Sequence, residues 1–163
     1  MYIPGRSPYR LLAYLSTQFQ ATTLVEIGVH NGWGSLALSY GGTNRIIGYD
    51  IDLSTLTPSI QVCDSCLEFR QGIAHQDDPA TILAAPFIHF DAQHDGVYEK
   101  TFLDFLIANN YQGTVLWDDI HQNAAMQQFW DSIAEPKHDL TSIGHETGTG
   151  LKRFDGGEVQ IVL

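Results

Sequence analysis

Apolar residues recur along this chain in two alternating rhythms. Over residues 8–20, Leu11, Leu12, Leu15 and Phe19 keep the three-and-four spacing of one helical face, and Ser7-Pro8 supplies a helix start. The next run, Thr23-Leu24-Val25-Glu26-Ile27, is short, mostly apolar and broken by Gly28, which predicts a strand. The exchange then repeats. A short helix over 34–40 closes at Gly41-Gly42, and a strand over 45–49 ends in Asp50. A strand over 67–70 precedes a helix that opens at Asp78-Pro79 and runs through Leu83. A strand over 86–90, a helix over 95–108 and a strand over 113–117 ending in Asp118-Asp119 follow, then a helix from about 123 to 133. Residues 53–64 are ambiguous, because Pro58 opposes a long helix.

Parallel strands follow from this alternation, since right-handed helical crossovers return each strand beside the last. The expectation is a doubly wound α/β sheet. The tail differs: 140–144, 151–154 and 158–162 are strand-like with no helix between them, and Asp155-Gly156-Gly157 marks a turn. An antiparallel C-terminal edge on a mostly parallel sheet fits that pattern. No repeat, charge block or Gly/Ser linker divides the chain, so residues 1–163 read as one domain.

Composition narrows the classes. The chain has 163 residues, 44% of them hydrophobic, enough for a real core, and its 15 glycines and 6 prolines are too few for a low-complexity chain. No apolar run approaches the roughly 18 residues of a membrane helix, and 11–15 is too short for a secretory core, so a soluble, cytoplasmic protein is expected. The net charge of −11 repels phosphate backbones and anionic lipid, which argues against nucleic-acid and membrane partners. Cys63 and Cys66 form a lone C-x-x-C with no second pair and read as incidental thiols in a reducing compartment.

Ligands of open α/β sheets bind outside the carboxyl ends of the strands, so the residues there are the informative ones. Four of the seven histidines (His30, His75, His94 and His121) and most clustered acids fall on that edge. Gly28, Gly32 and Gly34 do not keep the G-x-G-x-x-G spacing of a dinucleotide loop. Glu26 inside the strand end would repel a pyrophosphate but suits an ammonium, and Asp50 is placed for ribose hydroxyls. A plainer alternative makes the glycines a tight turn and Asp50 a cap. Three carboxylates converging after the fourth and fifth strands, Asp91, Asp118 and Asp119, would repel one another unless a hard cation relieved them; alternatively one of the pair caps the following helix and Asp91 is a turn acid. His30 and His121 read most simply as loop histidines, and His94 as a solvated helix-start residue. Trp33, Tyr98 and Trp117 either stack on a ring or fill the core.

On these residues the sequence resembles the class I S-adenosylmethionine-dependent methyltransferases. Glu26-Ile-Gly28-x3-Gly32-x-Gly34-Ser35 looks like their first motif, and Ile47-Gly48-Tyr49-Asp50-Ile-Asp52 like the acid of their second strand, over roughly residues 20–155. The resemblance implies a seven-stranded sheet and cofactor contacts from Glu26, Gly28, His30, Gly32, Asp50, Ala74, His75 and Asp91. Phe90-Asp91-Ala92-Gln93-His94-Asp95 and Thr114-Val115-Leu116-Trp117-Asp118-Asp119 are similar to the loops of cation-dependent O-methyltransferases, of the catechol and caffeoyl-CoA type and of antibiotic sugar pathways. That implies Mg²⁺ or Ca²⁺ held by Asp91, Asp118 and Asp119, with His94 in place of a catalytic lysine as general base; Gln93, where related sugar enzymes carry a carboxylate, cannot be one. If His94 and His121 joined the acids, a transition metal would fit instead. The implied activity is methyl transfer to a small hydroxylated acceptor. The chain is short for this group, so either a second subunit covers the acceptor, as in a homodimer, or the pocket is open, or activity is weak. No Asn/Asp-Pro-Pro-aromatic loop follows the fourth strand, so N-methylation of a base is not expected. A non-catalytic, nucleoside-binding relative is the alternative, and an NAD(P)-dependent oxidoreductase is opposed by the glycine spacing and Glu26.

Overall fold

The computed structural model describes residues 8–61 and 66–157, and strands form where the short apolar runs lie. β1 (Thr23–Ile27), β2 (Arg45–Asp50), β3 (Leu67–Gln71), β4 (Phe87–Phe90) and β5 (Thr114–Asp118) are joined as parallel neighbours. Two more strands, β6 (His138–Asp139) and β7 (Thr149–Arg153), bring the strands among the described residues to seven, in the order β3-β2-β1-β4-β5-β7-β6. β7 is antiparallel to both its neighbours, so the sheet has the expected antiparallel C-terminal end. The order turns back between β1 and β4, and that topological switch opens a crevice at the strand ends.

Both faces of the sheet are covered, which explains why the strands lack a polar side. α1 (Pro8–Ser16) and α2 (Trp33–Leu38) bury Leu11, Leu12, Leu15 and Leu38 on Leu24, Ile46, Phe87 and Leu116. Further along lie α3 (Pro58–Gln61), α4 (Ala74–Asp77) and α5 (Pro79–Ala84), then α6 (Val97–Ala108) and α7 (Ala124–Ser132). From these, Ile82, Phe102, Leu106 and Phe129 pack with Val25, Ile47, Ile88 and Val115 on the other face. Adjacent residues such as Leu24 and Val25 therefore point into different cores, as a buried parallel strand requires. Each fully buried side chain of this size contributes roughly 1.5–3 kcal/mol.

Several helix ends follow from local chemistry. Asp78 caps α5, accepting from Thr81 N at 3.3 Å, and Asn123 caps α7, accepting from Ala125 N and Met126 N. Asp95 Oδ1 accepts from Val97 N and Tyr98 N at the start of α6. Three features differ from expectation: the length of the first helix, the added helix α4 and residues 140–144. The first helix stops at Ser16, short of residue 20. Residues 53–64 hold a 3₁₀ turn (Leu53–Thr55) and α3, and α4 was not anticipated. Residues 140–144 are not a strand: Asp139 Oδ1 accepts from Thr141 N, and Ile143 N and Gly144 N both donate to Leu140 O, which folds the chain into turns. The strand instead lies just before, at His138–Asp139. The piece at 158–162 and Cys63 lie outside the described residues. Among the described residues no helix is long and apolar enough to cross a membrane.

Candidate functional site

At the ends of β1 to β4 the chain leaves a cavity of about 270 Å³, lined by Gly28, His30, Asp50, Ile73, Gln93 and Tyr98 among others. Gly28 adopts φ +88°, and a Cβ there would stand 1.8 Å from the Asp91 carbonyl oxygen, so only glycine lets β1 exit this close to β4. Asp50 Oδ2 accepts from His30 N at 2.8 Å and Oδ1 from Asp52 N at 3.0 Å, which fixes the carboxylate at the wall. Each oxygen keeps a further lone pair for a ligand hydroxyl. Gly32, Ala74 and His75 were also expected here and are not among the residues that line the cavity. Gly32 (φ +88°) begins α2, where a Cβ would meet Leu56 and Ile60. His75 is buried against Tyr98, Phe102 and Phe105, and that burial lowers its pKa.

Glu26 is 1% exposed and is not part of the lining. Register places it opposite His89 on β4 and Gly48 on β2, on the face covered by α1 and α2. The Ser35 hydroxyl donates to Glu26 Oε2, and His89 Nδ1 lies 3.2 Å from Oε1. Burial works to lower the His89 pKa, but the Glu26 hydrogen bond and charge overcome it and carry it up to about 9. The carboxylate expected to meet a ligand ammonium thus has two buried protein partners.

The acids after β4 and β5 do converge. Oxygens of Asp91, Asp118 and Asp119 fall into three overlapping groups, each completed by a histidine: His89 with Asp91 and Asp118, His94 with Asp91 and Asp119, and His145 with Asp118 and Asp119, with donor atoms within 4.8 Å in each group. His94 Nε2 is 3.3 Å from Asp91 Oδ1 and 3.5 Å from Asp119 Oδ2. The hydrogen bond with Asp91 is the largest influence on His94 and raises its pKa. Burial, with Asp91 alongside, pushes the Asp118 carboxyl up to about 6. For Asp91 itself burial acts upward, yet His94, His89 and His145 hold it below the usual range. Among the described residues Asp118 Oδ1 is buried with no hydrogen-bond partner, an arrangement a cation would satisfy. Neither acid of the pair caps α7, whose cap is Asn123.

His121 stands apart from this ring, between Asp139 (2.7 Å) and Gln127 (2.6 Å). Trp117 is fully buried in the core, Tyr98 lines the cavity and Trp33 is 45% exposed. Three residues were missed. His89 lay inside a run read only as strand, its one signal being a polar residue among apolar ones. His145 arrives from the loop between β6 and β7, more than twenty residues from its partners. Tyr9 on α1 is half-exposed, and burial first, then the charges of Asp91, Glu26 and Asp118, raise its pKa. No local pattern in the sequence marks either of these two.

This sheet order with its strand-end crevice defines a Rossmann-like methyltransferase fold, and solved structures share it at low identity. An O-methyltransferase from Bacillus cereus, in complex with S-adenosylhomocysteine, is 17% identical and superposes with a TM-score of 0.66 over 90% of this chain and 79% of that one. TomG from Streptomyces achromogenes, an O-methyltransferase of tomaymycin synthesis in complex with S-adenosylmethionine, is 18% identical, with a TM-score of 0.60 over 88% and 76%. An RNA methyltransferase from Salinibacter ruber, in complex with S-adenosylhomocysteine, is 16% identical, with a TM-score of 0.62 over 98% of both chains. No protein-family model and no curated protein matches the sequence.

Proposed function

We propose that the protein is an S-adenosylmethionine-dependent O-methyltransferase acting on a small hydroxylated molecule with the help of a divalent cation. The observation that carries this reading is the adjacency of two sites: the cavity walled by Asp50 and the ring of acids share Asp91 at the end of β4. In such a reaction the cofactor supplies an electrophilic methyl group and the cation a Lewis acid for the acceptor oxygen. The remaining work falls to the chain. Asp50, held by two backbone N–H groups, accepts hydrogen bonds from the ribose hydroxyls, while Gly28, His30, Ile73 and Tyr98 bound the nucleoside. Glu26, Gly32, Ala74 and His75 lie outside that lining, with Glu26 and His89 tying β1 to β4. Asp91, Asp118 and Asp119 hold the cation, and His94 Nε2 takes the proton of the acceptor hydroxyl.

The likeness to an RNA methyltransferase does not extend to the acceptor in this reading, because a net charge of −11 opposes a phosphate backbone. The acceptor is a small molecule, and a second copy of the chain covers it. Calorimetric titration tests the cofactor. S-Adenosylhomocysteine is expected to bind the wild type and to lose at least about tenfold in affinity in Asp50→Ala. Binding of NADH without S-adenosylhomocysteine would overturn the proposal. Transfer of a labelled methyl group to catechol-like or sugar hydroxyls separates an enzyme from a non-catalytic relative.

A further inference from the structure

The nitrogen donors in the acid ring bear on which cation it takes. We propose that His145 joins Asp118 and Asp119 as a ligand, so that the site takes a borderline ion of the manganese-to-zinc series in preference to Mg²⁺ or Ca²⁺. The inference rests on the reading of these acids as a cation site. His145 Nδ1 is 3.0 Å from Asp119 Oδ1 and 3.9 Å from Asp118 Oδ1. The second separation is too long for a hydrogen bond, and Asp118 Oδ1 is the buried oxygen without a partner among the described residues. Two ligands of one ion, each about 2.1 Å from it, stand at most roughly 4.2 Å apart, so both separations fit a shared ion.

The loop is built to present this ring. His145 N donates to Thr149 Oγ1 at 2.8 Å, and Gly148 N returns to His145 O at 3.0 Å. Gly148 adopts φ +107° with a Cβ position only 2.7 Å from His121 N, which presses the β6–β7 loop onto the end of β5. The Thr147 hydroxyl, which donates to Asp119 Oδ1, lies 2.6 Å from His145 Nδ1 and holds ring and carboxylate together. Of the other two imidazoles, His89 is tied to Glu26 through Nδ1, which leaves its Nε2, and His94 Nε2 lies beside Asp91. Mg²⁺ and Ca²⁺ favour oxygen ligands, whereas an imidazole nitrogen shifts preference toward Mn²⁺, Fe²⁺, Co²⁺ and Zn²⁺.

Because Mn²⁺ outranks Mg²⁺ at many sites, the test reads how the ratio changes. Metal-stripped protein is titrated calorimetrically with Mn²⁺ and with Mg²⁺, in the wild type, His145→Asn and Asp118→Asn. His145→Asn is expected to weaken Mn²⁺ by at least about tenfold and Mg²⁺ by less than about threefold, and Asp118→Asn to weaken both. Pulsed EPR of bound Mn²⁺ should show ¹⁴N coupling in the wild type that persists in His94→Gln and is lost in His145→Asn. Equal losses for the two ions in His145→Asn, or no nitrogen coupling, overturn the inference and leave the cation site standing. Failure of both ions to bind the wild type overturns the cation site as well.

Discussion

Gly28→Ala offers a sharp test of how the site is built. Gly28 sits where β1 leaves the sheet, at φ +88°, and an added Cβ would lie 1.8 Å from the Asp91 carbonyl oxygen. Ordinary contact begins at 3.4 Å, so the two backbones must part by well over an ångström. That movement strains two hydrogen bonds, Asp91 N to Ile27 O at 2.8 Å and Gly28 N to Tyr49 O at 2.9 Å. Losing both costs roughly 2 kcal/mol, and an L side chain in the left-handed region adds roughly 1–2 kcal/mol. The expected total is about 3–4 kcal/mol, a shift of roughly 10 °C in Tm for a chain of this size. Gly42→Ala is the control, since Gly42 has φ +75° but nothing nearer its Cβ position than Tyr40 O at 3.9 Å. It should cost only about 1 kcal/mol. Urea unfolding followed by circular dichroism measures both variants. Equal costs would refute the close approach of β1 to β4 as the reason for Gly28. Displacement of Asp91 should also reduce S-adenosylhomocysteine affinity in Gly28→Ala and leave it unchanged in Gly42→Ala.

Other consequences are as direct. His75 is 8% exposed, its Nδ1 lacks a partner among the described residues, and three aromatic rings surround it. His75→Phe should therefore match or exceed wild-type stability by about 1 kcal/mol in urea unfolding at pH 7; a loss above about 2 kcal/mol would contradict that packing. Burial depresses the His75 pKa, so the unfolded chain binds the extra proton and wild-type stability falls as pH drops below the ordinary histidine value near 6.5. The advantage of His75→Phe should grow from pH 7 to pH 5. Asp78 accepts from Tyr49 at 2.7 Å, pairs with Arg70 and caps α5. Asp78→Ala should cost about 1–3 kcal/mol at pH 7. The Tyr49 hydrogen bond first, then Thr81 and Arg70, keep the Asp78 pKa low against burial, so its stabilisation is present above the usual carboxylate range and fades as pH falls through the lowered value. The gap between wild type and Asp78→Ala should narrow below about pH 4, and a gap independent of pH would contradict a charged Asp78.

Local pattern went far with this chain. β1 lies where the run Thr23 to Ile27 put it, and Asp50, Asp91 and Asp118-Asp119 stand at the strand ends where a parallel sheet gathers its ligands. Those positions were legible because hydrophobic period and glycine punctuation act over a few residues. The strand at 140–144 was misplaced because Leu140 and Ile143 are apolar for packing inside a turn that Asp139 and Thr141 dictate.

What the sequence determined by itself was the alternation of strands and helices, and hence the parallel sheet and the edge on which acids collect. Only the tertiary structure decided which groups face one another there. Register set Glu26 against His89, so a carboxylate expected to face a ligand is buried with protein partners. Chain return through β6 and β7 carried His145 onto Asp119. The reason is physical: short-range propensity depends on neighbours in the chain, whereas the electrostatics of a site depends on distances between groups far apart in sequence, which are fixed when the core packs.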